Sequence, residues 1–153
     1  MIKTIIVTLC LIATLLSAKE HKELSYNISA SLLQDIVGDS IILGTEQKVV
    51  YVFIYPLCPH SRKFVSMVSK SPLILSKYQY RFLLYSIPRL KSTDVVSAVY
   101  SSQNPIKMLL NIMIEEKISY AKGNAMTAAK VHRISTVAQA LNVYKRPYIF
   151  ILK

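Results

Sequence analysis

Three apolar runs along the chain predict buried β-strands. They cover residues 49–55 (VVYVFIY), 80–86 (YRFLLYS) and 148–152 (YIFIL). Runs of β-branched and aromatic residues without regular polar alternation are typical of strands covered on both faces. We therefore expect a sheet with a layer of structure on each side.

Between these runs, hydrophobic residues recur at helical spacing. Asn104-Pro105 has the composition of a helix start, with a capping side chain and a first-turn proline, and Asn142 can end a helix. The three apolar groups are Phe64, Met67 and Val68; Ile106, Leu109, Leu110, Met113 and Ile114; and Val131, Ile134, Val137, Ala138 and Leu141. The order strand, helix, strand, helices, strand predicts an α/β domain with a sheet flanked by helices.

A different apolar run occupies the amino terminus. Lys3 precedes residues 5–16, which are followed by Ser17-Ala18 and a charged stretch. The run is short for a membrane span, which needs about 20 apolar residues, and it is typical of a secretory signal peptide, residues 1–18. Because Leu16 is large for its position before the cleavage site, an uncleaved membrane anchor is the alternative.

Length and charge limit the number of domains and the kinds of partner that the exported chain can have. About 135 residues remain after cleavage, enough for one domain with a single core. The full chain has 19 Lys and Arg against 8 Asp and Glu, a formal charge of +11. The basic residues are scattered singly or in pairs, without the clusters or motifs of nucleic-acid-binding proteins. We expect a basic soluble surface, no nucleic-acid partner, and membrane contact only through an uncleaved signal segment.

Cys58 is the one cysteine that follows the predicted signal peptide. Disulfides persist outside the cytoplasm, but a single cysteine can form one only with another molecule. Cys58 lies between the first predicted strand and Pro59, where the N-terminus of a helix would stabilise a thiolate. His60 is a candidate cation beside it, and reactive cysteines occur in such settings. The alternative is that Cys58 is a small buried apolar side chain.

The sequence gives little support for a metal site, a serine-hydrolase site or a phosphate-binding site. His21 and His132 have no cysteine or carboxylate at metal-ligand spacing, so we predict no metal site. We see no Ser-His-Asp arrangement and no glycine-rich phosphate loop, and we expect no cofactor.

Cys58-Pro59-His60-Ser61 after an apolar strand resembles the Cys-X-X-Cys active site of the thioredoxin fold, with Ser61 in place of the second cysteine. Arg146-Pro147 is similar to the cis-proline loop that faces this site in the family. Residues 85–110, YSIPRLKSTDVVSAVYSSQNPIKMLL, resemble the segment after the second strand of periplasmic disulfide isomerases of the DsbC/DsbG type. The resemblance implies a thioredoxin-like fold over residues 42–153, with a helical insertion at about 92–142.

The resemblance also implies roles for individual residues. Cys58, with His60 and Ser61, would form the catalytic segment, and Pro59, Arg146 and Pro147 would contact the substrate. An alternative for Pro147 is a trans proline that starts an edge strand.

The chain departs from the family's pattern in three places. Ser61 removes the cysteine that resolves a mixed disulfide. Residues 19–41 form an extension too short for the dimerisation domain of those isomerases. The family's last strand and carboxy-terminal helix would follow Lys153, so we expect a sheet truncated at that end.

Together these features predict an exported, periplasmic thiol:disulfide interchange protein that forms mixed disulfides through Cys58. Its partners would be cysteine-containing exported proteins and a redox partner that supplies a thiol. The alternatives are a non-catalytic thioredoxin-like adaptor or chaperone of the cell envelope, in a secretion or conjugation assembly, and a truncated, degenerate product.

Overall fold

The computed structural model describes residues 24–86 and 93–152. The predicted signal peptide, residues 1–18, lies outside the described residues. So does the Pro88-Arg89 pair within the segment that carries the DsbC/DsbG resemblance.

Helices and strands alternate along the described residues. The helices are α1 (Tyr26–Asp35), a 3₁₀ helix (Val37–Asp39), α2 (Pro59–Ser69), α3 (Pro72–Leu75), α4 (Thr93–Ser101), α5 (Pro105–Met113) and α6 (Ala125–Ala140). The strands are β1 (Ile41–Leu43), β2 (Val49–Ile54), β3 (Gln79–Leu84) and β4 (Tyr148–Ile151). The α/β class predicted from the sequence is confirmed.

The strands form one sheet in the order β1-β3-β2-β4. β2 and β3 are parallel, with Ile54 opposite Leu84, whereas β1 pairs antiparallel with β3 and β4 pairs antiparallel with β2. Because β2 and β3 run in the same direction, the segments that follow Ile54 and Leu84 leave the sheet side by side. This edge of the sheet carries Cys58.

The two central strands are buried because helices cover both faces of the sheet. On one face, alternate residues of β2 and β3 pack with α2, α4 and α5. On the other face, Tyr51, Phe53 and Leu83 pack with side chains of α1 and α6. Residues 50–54 are all buried, as the apolar run predicted.

Two of the predicted helix signals act as expected. The Asn104 side chain accepts a hydrogen bond from the Lys107 N–H at 3.1 Å and caps α5, whose first residue is Pro105. Asn142 follows the end of α6 with a φ of 54°, a left-handed conformation that asparagine tolerates well.

Two apolar positions differ from the sequence prediction. Met67 is 54% exposed, because α2 buries Ser61, Val65 and Val68 instead and Met67 points away from that face. β4 is covered on one face only: Ile149 and Ile151 are 42% and 62% exposed, since β4 is an edge strand whose side chains alternate.

Within residues 24–86 and 93–152, no helix is both long enough and apolar enough to cross a membrane.

Candidate functional site

A tight turn connects β2 to α2 and sets the position of Cys58. The Cys58 N–H donates to the Tyr55 carbonyl at 3.0 Å across this turn, and Pro56 occupies its second position, where proline is favoured. Cys58 has extended backbone angles and is the N-cap of α2, and Pro59 is the first helical residue. The sequence prediction of a thiol at the start of a helix agrees with this geometry.

The Cys58 side chain is partly exposed and forms no disulfide. It makes no capping hydrogen bond to the first turn of α2. The thiol therefore lies at the positive end of the helix dipole, within reach of an incoming disulfide. This exposure differs from the small buried side chain that was the alternative.

Ser61 is fully buried and stabilises the turn. Its hydroxyl oxygen accepts a hydrogen bond from the Tyr55 N–H at 3.3 Å. The hydroxyl is thus bound to the backbone on the protein side of α2, one helical turn after Cys58.

Arg62 fixes the same turn from the other side. Its Nε donates to the Pro56 carbonyl at 3.0 Å, and its Nη1 lies 3.7 Å from the Glu116 carboxylate. In both contacts the guanidinium binds another residue of the same chain. The role of Arg62 is therefore to hold the turn that carries Cys58.

The Arg146–Pro147 peptide bond is cis, so the trans alternative does not apply. Tyr148, the next residue, pairs with Phe53 in the antiparallel register of β4 and β2. The Arg146–Pro147 loop consequently lies at the end of β2 from which the chain continues to Cys58.

Tyr85 and Arg146 meet at this same edge. The Arg146 guanidinium carbon lies 5.0 Å from the centroid of the Tyr85 ring, a cation–π contact. Burial raises the pKa of Tyr85, the nearby Arg146 charge partly offsets this, and a Cys58 thiolate adds to the increase. Arg146 also approaches the Tyr85 hydroxyl, but without hydrogen-bond geometry: the hydroxyl oxygen and the Arg146 Nε are both buried and have no hydrogen-bond partner.

The remaining candidates lie at the surface. Pro59 and His60 are exposed on the first turn of α2, next to Cys58, and His132 is exposed on α6. Among the described residues, no group of three or more His, Cys, Asp or Glu side chains could hold a metal ion.

Tyr85 is not among the site residues that the sequence predicts. The available indication was its position, since Tyr85 directly follows β3 as Tyr55 directly follows β2. Had the two strands been taken as parallel neighbours, Tyr85 would have been expected beside the turn that leads to Cys58.

Chemically, the arrangement can perform thiol–disulfide exchange. A partly exposed thiol at a helix N-terminus can attack a disulfide sulfur as the thiolate. The cis Arg146–Pro147 peptide lies at the same edge of the sheet.

No protein-family model matches the sequence, and no curated protein sequence is similar enough to count as a match. Solved structures do resemble the fold. The catalytic domain of Proteus mirabilis ScsC aligns with a TM-score of 0.55 and 12% identity over 83% of this chain and 86% of that one. A disulfide interchange protein from Neisseria gonorrhoeae aligns with a TM-score of 0.59 and 14% identity over 74% and 79% of the two chains.

A periplasmic thioredoxin-like protein from Salmonella enterica serovar Typhimurium aligns with a TM-score of 0.56 and 13% identity, over 85% of this chain and 86% of that one. At such identities a structural likeness establishes the fold and leaves the activity open. The chain has a thioredoxin-like fold, with helices α4, α5 and α6 inserted between β3 and β4.

Proposed function

We propose that this protein is an exported, monothiol thiol:disulfide interchange protein of the DsbC/DsbG type. The observation that carries the proposal is the position of Cys58: the one cysteine of the described residues is a partly exposed thiol at the N-terminus of α2, beside a cis-proline loop, in a thioredoxin-like fold. Cys58 is the nucleophile, and His60 lies exposed on the same turn. Ser61 holds the turn, while Pro59, Arg146 and Pro147 form the surface that meets the client.

The reaction consists of two exchanges. The Cys58 thiolate attacks one sulfur of a client disulfide, which forms a mixed disulfide and releases the client's other sulfur as a thiolate. A second client thiolate then attacks the client sulfur of the mixed disulfide, forming a new client disulfide and regenerating the Cys58 thiolate. No net oxidation or reduction occurs, so the outcome is isomerisation.

An external thiol can replace the client's second thiolate in the last step. Ser61 cannot, because its hydroxyl is not ionised at neutral pH and does not displace a thiolate from a disulfide. Every mixed disulfide on Cys58 must therefore be resolved from outside the protein. This feature separates the proposed activity from that of a dithiol oxidoreductase.

Two of the structural relatives support the class of activity and the compartment. One is described as a disulfide interchange protein and another as a periplasmic thioredoxin-like protein. The predicted signal peptide at residues 1–18 supports export, and we propose the periplasm as the location. Cysteine-containing exported proteins are the proposed clients.

The direct test is acid trapping of mixed disulfides in intact cells, followed by mass spectrometry of the species bound to Cys58. The purified protein should also accelerate reactivation of a model protein with scrambled disulfides when a catalytic amount of reduced thiol is present. Cys58→Ala should abolish both effects, whereas the exposed lysine variant Lys77→Gln should retain them. An active Cys58→Ala variant would refute the mechanism.

A second candidate is a non-catalytic adaptor or chaperone of the cell envelope. It is favoured by the exposed isoleucines of β4, Ile149 and Ile151, which lie on an edge strand that could bind another polypeptide. Deletion of the gene followed by complementation with Cys58→Ala separates the two candidates. Full complementation supports the adaptor, and loss of function supports the interchange protein.

A further inference from the structure

Two hydrogen-bonding atoms beside Cys58 are buried without a partner. Tyr85 is 7% exposed, and its hydroxyl makes no hydrogen bond, nor does the Nε of Arg146. Gln79 and Arg81 also have an unpaired buried atom, but they belong to the first half of β3, away from Cys58. Tyr85 and Arg146 are in contact with each other at the edge of the sheet where the thiol lies.

Such groups are uncommon in folded proteins because losing a hydrogen bond to water without replacement is costly. Both can donate a hydrogen bond; the tyrosine hydroxyl can also accept one, but an arginine side chain has no acceptor to offer it. What would satisfy both is therefore an acceptor that enters the site from outside. An acceptor with two oxygen atoms suits a hydroxyl and a guanidinium that lie next to each other.

The charges around the site favour an anion over a neutral acceptor. Arg146 contributes a full positive charge, and the N-terminus of α2 contributes a partial one. Arg62 is less available, because its Nε and Nη1 already contact the Pro56 carbonyl and Glu116. Glu116 is largely exposed at 76% of its side-chain surface and is directed to Arg62, not to Arg146.

We propose that Tyr85 and Arg146 form a carboxylate-binding subsite that makes Cys58 react preferentially with client disulfides in which an acidic residue flanks the cysteine. The carboxylate accepts hydrogen bonds from the Tyr85 hydroxyl and the Arg146 guanidinium while the client sulfur meets Cys58. The subsite positions the client and takes no part in bond making. This inference rests on the proposed interchange activity and assigns its specificity.

The test uses the mature protein and three blocked peptides, acetyl-Gly-Xaa-Cys-Gly-amide, in which Xaa is Glu, Gln or Lys. Each peptide is supplied as its symmetric disulfide, and formation of the mixed disulfide on Cys58 is followed by acid quench and intact mass. Rates are divided by those of 2-mercaptoethanol with the same peptide, which removes differences in intrinsic disulfide reactivity. We expect the Glu peptide to react about fivefold faster than the Gln peptide, the range of a solvent-accessible ion pair, and the Lys peptide to react most slowly.

Variants of the subsite should change this ratio in a graded way. Arg146→Gln should reduce the Glu-to-Gln ratio to about one, and Arg146→Lys should retain part of it, because lysine keeps the charge without the planar fork. Tyr85→Phe removes a donor without changing the charge and should lower the ratio about twofold. Lys77→Gln removes the same charge as Arg146→Gln at a distant exposed position and should leave the ratio unchanged.

The outcomes separate this inference from the function on which it rests. If no peptide forms a mixed disulfide with Cys58, both are wrong. If all three peptides react at equal normalised rates, the interchange activity stands and the subsite is refuted. A Glu preference that survives Arg146→Gln, or that Lys77→Gln removes equally, also refutes the subsite, since general electrostatic attraction would then explain it. An effect seen with 3,3′-dithiodipropionate but not with the Glu peptide would overturn the assignment to polypeptide clients.

Discussion

The buried, unpaired hydroxyl of Tyr85 predicts that its removal stabilises the protein. Tyr85→Phe keeps the ring, its edge-to-face contact with Phe53 at 6.3 Å and its contact with Arg146. It deletes only an oxygen that is solvated in the unfolded chain and lacks a hydrogen bond in the folded one. Such an unsatisfied group costs about 1–3 kcal/mol. Because Arg146 lies nearby and offsets part of this cost, we expect a gain of about 1 kcal/mol in the free energy of unfolding.

Tyr100 provides a matched comparison in which the same substitution should have the opposite effect. Its hydroxyl oxygen accepts a hydrogen bond from the Leu84 N–H at 3.1 Å. β1 begins at Ile41, opposite Phe82, and so does not extend far enough to pair with Leu84. Tyr100→Phe would leave this buried N–H without a partner, and we expect a loss of about 1–3 kcal/mol.

Urea unfolding followed by far-ultraviolet circular dichroism measures both variants. The slope of the free energy against urea should not change, because neither substitution alters the surface exposed on unfolding. For a domain of this size, a gain of 1 kcal/mol corresponds to an increase of about 4 °C in Tm. A Tyr85→Phe variant that is destabilised by 1 kcal/mol or more would refute the reasoning. It would show that the hydroxyl is satisfied in solution, and it would remove the basis of the proposed subsite.

Three further predictions follow from the same contacts. Ser61→Ala leaves the Tyr55 N–H without its acceptor and should lower the free energy of unfolding by about 1–2 kcal/mol in urea titrations; an unchanged midpoint would contradict the role of Ser61 in the turn. Ser61→Cys should form an internal disulfide with Cys58 under mild oxidation, measured as loss of both free thiols of the mature chain, because residues one helical turn apart lie within the roughly 7 Å that a disulfide allows. Burial raises the pKa of Tyr85 and Tyr100 above the ordinary value of 10.0. Ionisation of these two tyrosines should therefore leave the free energy of unfolding unchanged below about pH 10 and lower it as the pH rises further, which unfolding curves across this range would show.

The elements that could be predicted from the sequence are those determined by local chemistry. The uninterrupted apolar run of β2 requires cover on both faces, and the structure provides it. The cap at Asn104 and the helix start at Pro59 depend on residues adjacent to them in the chain. Short β1 and the helix α1 were not predicted, because three residues of strand and a weakly apolar helix leave little periodic signal.

The contact between Tyr85 and Arg146 was not predicted, because it depends on how distant segments of the chain come together in the fold. Tyr85 and Arg146 are separated in the sequence by the helices α4, α5 and α6, and neither residue has a local pattern that points to the other. They meet because β3 is parallel to β2 while β4 is antiparallel to it, which brings the end of β3 and the start of β4 to one edge of the sheet. Strand order and direction are set by packing of the whole domain, so the single sequence did not reveal this contact.

The chemistry at position 61 connects the stability of the site to its proposed specificity. Ser61 occupies the buried side of the first turn of α2 and binds the backbone of Tyr55, so it supports the active turn as a structural residue. In the proposed mechanism the same side chain cannot release a client from Cys58, so the lifetime of each mixed disulfide would depend on how the client and the incoming thiol are held. In a dithiol protein, rapid internal release makes such holding contacts less important. In a monothiol protein, contacts such as those proposed for Tyr85 and Arg146 would determine which clients remain bound long enough to be rearranged.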